Sequence, residues 1–281
     1  MAAHSPILKL GHSPDSDDAF MFYALAEGLI DTHGLQFEHT LKDIQTLNSW
    51  AREGRLEITA LSVHAYAYVS DRYQLLTHGA SMGERYGPLV VCRDAASLEE
   101  LKQRVIAIPG LLTTAYLTLR LALGDVQTVV MPFDRIMEAV AEGEVEAGLL
   151  IHEGQLTHGT LGLHPILDLG VWWDDLTGLP LPLGVNAVRR DLSDETRALV
   201  SRVLRDSINF GLDHRAPALE HALSFARGME PAVADRFVGM YVNDLTRDMG
   251  ERGRRAIELL LRMGHEQGVL THQPRVDFVM E

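Results

Sequence analysis

Ile7-Leu8-Lys9-Leu10-Gly11-His12-Ser13-Pro14-Asp15-Ser16-Asp17-Asp18-Ala19-Phe20 sets the architecture of this chain. The first four residues read as a strand. Asp17 to Ile30 reads as a helix, because Phe22, Leu25, Ala26 and Leu29 recur at i, i+3, i+4 and i+7. Outward from there the alternation continues, with a strand over Leu35 to Leu41, a helix over Ile44 to Arg52 and a strand over Leu56 to Leu61. This βαβα order predicts an α/β protein whose mainly parallel sheet carries helices on both faces, since parallel strands need crossover connections. Ligands of such sheets bind beyond the carboxyl ends of the strands.

A second series starts near residue 88: strand Leu89 to Cys92, helix Ser97 to Lys102, strand Val105 to Ile108, helix from Thr114, strand Val126 to Met131, helix Phe133 to Glu142 and strand Ala147 to Ile151. It ends near Thr177-Gly178-Leu179-Pro180-Leu181-Pro182-Leu183-Gly184, whose prolines favour a stiff, extended loop. Beyond it, helices are expected at Asp194 to Leu212, Pro217 to Ala226, Pro231 to Tyr241 and Met249 to Gln267. There is no low-complexity linker and no internal repeat. Two crossings without a floppy connection predict a first lobe built from residues 1–87 and 186–281, with residues 88–185 inserted as a second lobe and a ligand cleft between them.

The 281 residues carry 25 Lys+Arg against 39 Asp+Glu, a formal charge of −14. Basic residues are outnumbered and interleaved with acids, as at Arg252, Arg254 and Arg255 beside Glu251 and Glu258, which argues against a nucleic-acid binder. With a single cysteine, Cys92 in the apolar run Pro88 to Cys92, the expectation is a buried structural thiol, with no intramolecular disulfide and no thiolate metal cluster. Met1 to Pro6 has neither a basic n-region nor a long apolar stretch, and no apolar run approaches the roughly 18 residues that span a bilayer. A cytoplasmic protein with no membrane partner is therefore expected.

Three segments carry candidate chemistry. In the first, Gly11 to Phe20, Ser16 or Asp17 can cap the helix and the aspartates favour its positive end, while Ser13 and Asp17 could equally bind a ligand at the mouth of the sheet. Three carboxylates could in principle take a divalent metal, but an Asp-rich cap needs none, and no metal is expected. In the second, Ile106-Ala107-Ile108-Pro109-Gly110-Leu111-Leu112-Thr113-Thr114-Ala115-Tyr116, a buried strand turns into two threonines before a helix. Threonine capping alone accounts for the pattern, yet it also brings free N–H groups, two hydroxyls and a positive helix end to one point, an anion site that needs no basic residue. The third, Ala147 to Glu153, delivers His152 and Glu153 at a strand end. Histidine titrates near neutrality, so His152 is the candidate general base, with His12 the next. Trp172 and Trp173 read as one core ring and one ring at a lobe junction. A nucleophile elbow, a Walker loop and a dinucleotide fingerprint are all lacking.

Taken together, Ser13-Pro14, Asp18, Phe22-Tyr23-Ala24-Leu25, Thr46-Leu47-Asn48, Glu53-Gly54-Arg55-Leu56, Gly87 to Val91, Thr113 to Tyr116, Gly143 to Gly148, Ile151-His152-Glu153 and Trp172-Trp173 with Thr177 to Gly184 resemble the MqnD family, the 1,4-dihydroxy-6-naphthoate synthases of the futalosine route to menaquinone. The resemblance runs over essentially the whole chain. It implies a two-lobed fold similar to periplasmic solute-binding proteins (type II). It also implies a lyase that converts cyclic dehypoxanthinyl futalosine, a small anionic substrate, to 1,4-dihydroxy-6-naphthoate and dihydroxyacetone without a cofactor. The family's catalytic base falls on His152, and its substrate contacts fall on Thr114 and Ala115, beside Thr113, and on Ala60-Leu61-Ser62. The chain departs from the family in its first loop, which commonly reads Ser-Pro-Cys-Pro-Asn-Asp, and at Ala60, where a lysine is frequent. Two alternatives share the fold: chorismate dehydratase of the same pathway, whose first-strand motif of the Asn-Thr-x-Pro type is unlike Ser13-Pro14-Asp15, and a solute-binding protein, which would be expected to carry an export signal or a lipobox cysteine.

Overall fold

The computed structural model describes residues 7–225 and 230–280. The N-terminal residues Met1 to Pro6 and the expected helix end at Ala226 lie outside them. The chain begins with β1 (Ile7–His12), α1 (Ser16–Ala26), β2 (Gln36–Leu41), α2 (Ile44–Glu53), β3 (Ile58–Ser62), α3 (Val63–Tyr66), β4 (Tyr73–Leu75) and β5 (Ser81–Gly83). Then follow β6 (Leu89–Cys92), α4 (Leu98–Leu101), β7 (Ile106–Ile108), α5 (Thr114–Leu123), β8 (Thr128–Val130), α6 (Phe133–Glu142), β9 (Ala147–Leu150), α7 (Gly154–Thr157), β10 (His164–Asp168) and α8 (Leu169–Thr177). The chain closes with β11 (Leu181–Arg189), α9 (Asp194–Asp213), α10 (Arg215–Leu223), α11 (Pro231–Tyr241), α12 (Asp244–Arg247) and α13 (Gly250–Glu266).

The strands form two sheets, one ordered β2-β1-β3-β11-β4 with β5 on β11, the other β10-β6-β9-β7-β8. Both are mixed, which corrects the mainly parallel expectation. β2, β1 and β3 run parallel, as do β9, β7 and β8, but β11 lies antiparallel to β3, β4 and β5, and β6 antiparallel to β9 and β10. The expected loop around the prolines is in part this long strand. Its register slips between Pro182 and Gly184 opposite β5, an irregularity that accommodates a residue with no N–H to give. All of Leu181–Arg189 belongs to the first sheet, so the chain leaves that sheet before residue 89 and re-enters it by residue 181, and a boundary at 186 would cut through β11.

The first helix is shorter than its apolar spacing suggests. Gly28 takes φ +65°, and the N–H groups of Gly28 and Leu29 return to the carbonyls of Leu25 and Ala24, closing α1 in a Schellman turn. α1 packs against α9, α10 and α11, so its residues are buried almost all round. One apolar cluster runs through both sheets, joining Leu61, Leu75 and Val185 to Val90, Ile108 and Leu149, with Trp173 and the buried Cys92 among its members. Trp173 Nε1 donates to the Pro180 carbonyl at 3.0 Å while Trp172 is half-buried. Among the described residues no helix is long and apolar enough to cross a membrane.

Candidate active site

The carboxyl ends of strands from both sheets converge on one cavity that is partly open to solvent. Ser13, Asp17, Ala60, Leu61, Ser62, Thr113, Thr114, Ala115 and His152 all line it. The residues singled out from the sequence are thus brought together from four separate strand ends. Sequence reasoning missed Gln155, Asn186, Phe237 and Tyr241, which also line it. Phe237 and Tyr241 sit on α11, where their spacing reads as ordinary core, and Asn186 lies in the part of β11 beyond the loop expected at Thr177 to Gly184, so none of these three carried a local signal.

His152 follows β9 and adopts φ +51°, a left-handed backbone outside glycine, in which histidine is tolerated better than bulkier or β-branched residues. Its Nε2 lies 3.5 Å from Asp15 Oδ2, and the ring packs against Phe133 at 4.9 Å between centroids. Asp15 is nearly buried, so a charge on it is felt strongly by the imidazole.

The three acids of the first turn divide between partners. Asp15 is the N-cap residue of α1, yet its side chain makes no capping bond, and neither Ser16 nor Asp17 is the cap, which corrects that expectation. Asp18 instead reaches back to accept the Ser13 N–H at 2.6 Å. Asp17 faces the cavity. Burial holds both carboxyls above the ordinary carboxylate range, Asp17 at about 6 with help from the charge of Asp15 and Asp18 at about 7 with help from that of Asp17.

The threonine turn is built differently from the expected two-hydroxyl site. Thr113 Oγ1 accepts the Tyr116 N–H at 3.2 Å and donates to the Gly110 carbonyl at 2.9 Å, capping α5 and closing its turn. Thr114 Oγ1 donates to Leu183 O at 2.6 Å and accepts the His64 N–H at 3.2 Å. Both hydroxyls are committed to the protein, so an anion at this point would meet the first-turn N–H groups of Thr114 and Ala115, which have no acceptor within their own helix. Ser62 is likewise held, donating its N–H to Asn48 Oδ1 at 2.9 Å and accepting from Asn48 Nδ2 at 3.0 Å.

His12 is no second base. It is buried outside the cavity lining, stacked on Phe22 at 4.6 Å, with its two nitrogens against Ser13 O and His39 Nδ1 at 3.1 Å each. Burial drives its pKa down to about 3, so it stays neutral.

A family described as menaquinone biosynthesis matches residues 8–266. The 1,4-dihydroxy-6-naphthoate synthase of Thermus thermophilus is 42% identical over 97% of this chain and 99% of its own, and the synthase of Streptomyces coelicolor is 37% identical over 94% of each. The chain belongs to the 1,4-dihydroxy-6-naphthoate synthase family of menaquinone biosynthesis. A crystal structure of a protein from Archaeoglobus fulgidus, 46% identical, superposes with a TM-score of 0.90 over 96% of this chain and all of that one. The alkanesulfonate-binding protein of Xanthomonas axonopodis shares only 13% identity yet superposes with a TM-score of 0.73 over 98% of both chains, which places this synthase-family chain in the periplasmic-binding-protein-like fold.

Proposed function

We propose that this protein is a carbon–carbon lyase that splits cyclic dehypoxanthinyl futalosine into 1,4-dihydroxy-6-naphthoate and dihydroxyacetone, with His152 as general base. One observation carries this reading: in a chain so similar to two named synthases, the strand-end histidine enters the inter-sheet cavity with its Nε2 facing a buried carboxylate. Asp15 orients the imidazole and stabilises the imidazolium that forms when His152 takes a substrate proton. The N–H groups of Thr114 and Ala115 hold the substrate's carboxylate without a basic side chain. Proton removal starts ring opening and carbon–carbon cleavage, and aromatisation of the naphthoate makes the later steps downhill. Phe237, Leu183 and Ile151 supply apolar wall for the ring system.

The test is incubation of the purified protein with the cyclic substrate, following the naphthoate by absorbance and dihydroxyacetone by mass spectrometry. Both products should appear, and H152N and H152A should fold yet lose about 10²- to 10⁴-fold in turnover. A folded H152A with near wild-type turnover would refute the base assignment. Chorismate is the control substrate: its dehydration, with the cyclic compound left intact, would favour the sister dehydratase, whereas binding of the cyclic compound without change would favour a solute-binding role.

A further inference from the structure

Gln155 lies in α7, one turn beyond His152, and its N–H donates to the His152 carbonyl at 3.2 Å, so it is built into the same turn as the base. It is only 7% exposed, and it lines the cavity. One end of its side chain is taken: Oε1 accepts the hydroxyl of Tyr241 at 2.6 Å. The direction of that bond follows from the tyrosine. Tyr241 is buried, burial keeps its hydroxyl protonated, and among the described residues that O–H has no other acceptor, so the amide turns its oxygen toward it. The two N–H donors of Nε2 are left without a hydrogen-bond partner among the described residues, and this nitrogen, unlike the enclosed Oδ1 of Asp17, is accessible from the cavity. Once a ligand displaces water there, these donors need an acceptor on the ligand to stay matched.

We propose that Gln155 is a substrate-binding residue whose Nε2 donates to a hydroxyl or carbonyl oxygen of the substrate, and that Tyr241 is the positioning residue that aims the amide. The assignment deepens the lyase reading above and rests on it. Tyr241 is a fixed anchor: its carbonyl accepts from Thr246 Oγ1 at 2.8 Å, and its ring packs edge-on against Tyr86 at 5.6 Å between centroids. It comes from α11, which packs on α1 and β5 beside the first sheet, whereas Gln155 follows β9 of the second. The amide is therefore aimed only while the two walls of the cavity are in contact. The chemistry of the wall selects the oxygen. The helix amides of Thr114 and Ala115 suit the substrate's carboxylate, and they lie at a different strand end. Asp17 also lines the cavity and is close enough to Tyr241 for its charge to be felt there, which disfavours a second anion at this end. A neutral amide donor in that setting matches an uncharged oxygen. The bond is available to the substrate before any proton moves, so its contribution belongs to binding and appears in KM.

Three variants separate the parts. Q155L removes both ends of the amide, Q155E keeps an acceptor for Tyr241 but has no N–H, and Y241F keeps the amide and removes its anchor. With wild-type turnover of the cyclic substrate established first, Q155L and Q155E are expected to raise KM about tenfold and Y241F about threefold, with kcat within about threefold of wild type in each. A side chain that served only to brace Tyr241 would be spared by Q155E, which retains that bond. Folded Q155L and Q155E with wild-type KM, while H152N is dead, overturn the assignment and leave the lyase reading standing; if wild type leaves the substrate untouched, both fall. A Y241F variant with wild-type KM overturns the positioning role of the tyrosine. Should the variants at position 155 not fold, a crystal structure of H152N holding the cyclic substrate decides: Nε2 of Gln155 within hydrogen-bond distance of a substrate oxygen supports the assignment, and a substrate seated out of its reach overturns it.

Discussion

His152 and Asp15 face each other at 3.5 Å, and the arrangement is costly to hold. A non-glycine residue at φ +51° carries about 1–3 kcal/mol of backbone strain, tolerated because the surrounding packing fixes it. Asp15 touches no reacting atom in the reading above, so it is a positioning residue. D15N should leave KM nearly unchanged and lower kcat by up to about 10²-fold through a misdirected imidazole, with D15E restoring part of the rate. A D15N variant that changed KM alone would show that the carboxylate binds substrate directly. At this scale several residues beside strand ends were readable, although His12, at the end of β1, was not among them. His152, Thr114 and Asp17 each follow a short apolar run, and that position alone predicts the mouth of an α/β sheet. The Thr113 cap is local and readable, but what the Thr114 hydroxyl does was not, because its acceptor Leu183 O and its donor His64 N–H are distant in sequence.

Among elements, α5 has two threonines at its start with different duties. T113A removes the cap and should cost about 1 kcal/mol, seen as a lower denaturation midpoint. T114V preserves shape but leaves the partly buried Leu183 carbonyl without this donor, a penalty of about 1 kcal/mol, and should also slow turnover because that bond ties α5 to β11 at the cavity wall. Equal stability of T114V and wild type would show that this link carries no load. The helices α6 and α11 fall on the bounds their periodicity predicts, since each has a clear apolar face and a sharp start at Phe133 and Pro231. β4 and β5, three residues each, are too short to show a period. β11 hid behind its prolines, and its antiparallel direction could not be inferred because its partners β3, β4 and β5 lie about a hundred residues earlier.

The whole molecule's stability depends on pH through two opposed sets of buried groups. Burial lowers His12 to about 3 and His64 to about 4 from an unfolded value of 6.5. Below pH 6.5 the unfolded chain takes up protons that the folded chain refuses, so their contribution is complete above pH 6.5 and is lost on acidification, by at most about 1.4 kcal/mol per pH unit for each. Asp17 and Asp18 are raised and work in reverse: their contribution is present in acid and is lost as pH rises from the unfolded value of 3.8 through their folded values. Urea midpoints should therefore show D17N more stable than wild type above neutrality, and falling more steeply between pH 6.5 and 5. A D17N curve parallel to that of wild type would contradict this balance. The position of β11 has a further consequence, for synthesis on the ribosome. As β1 to β5 emerge, the edge of β3 that β11 will occupy stays open until about a hundred more residues have been made, because the strand that covers it is translated only after the whole of the other sheet. An open apolar edge invites pairing with another chain. The nascent protein is most exposed to aggregation between the appearance of residue 62 and that of residue 189, the interval in which a chaperone has the most to protect.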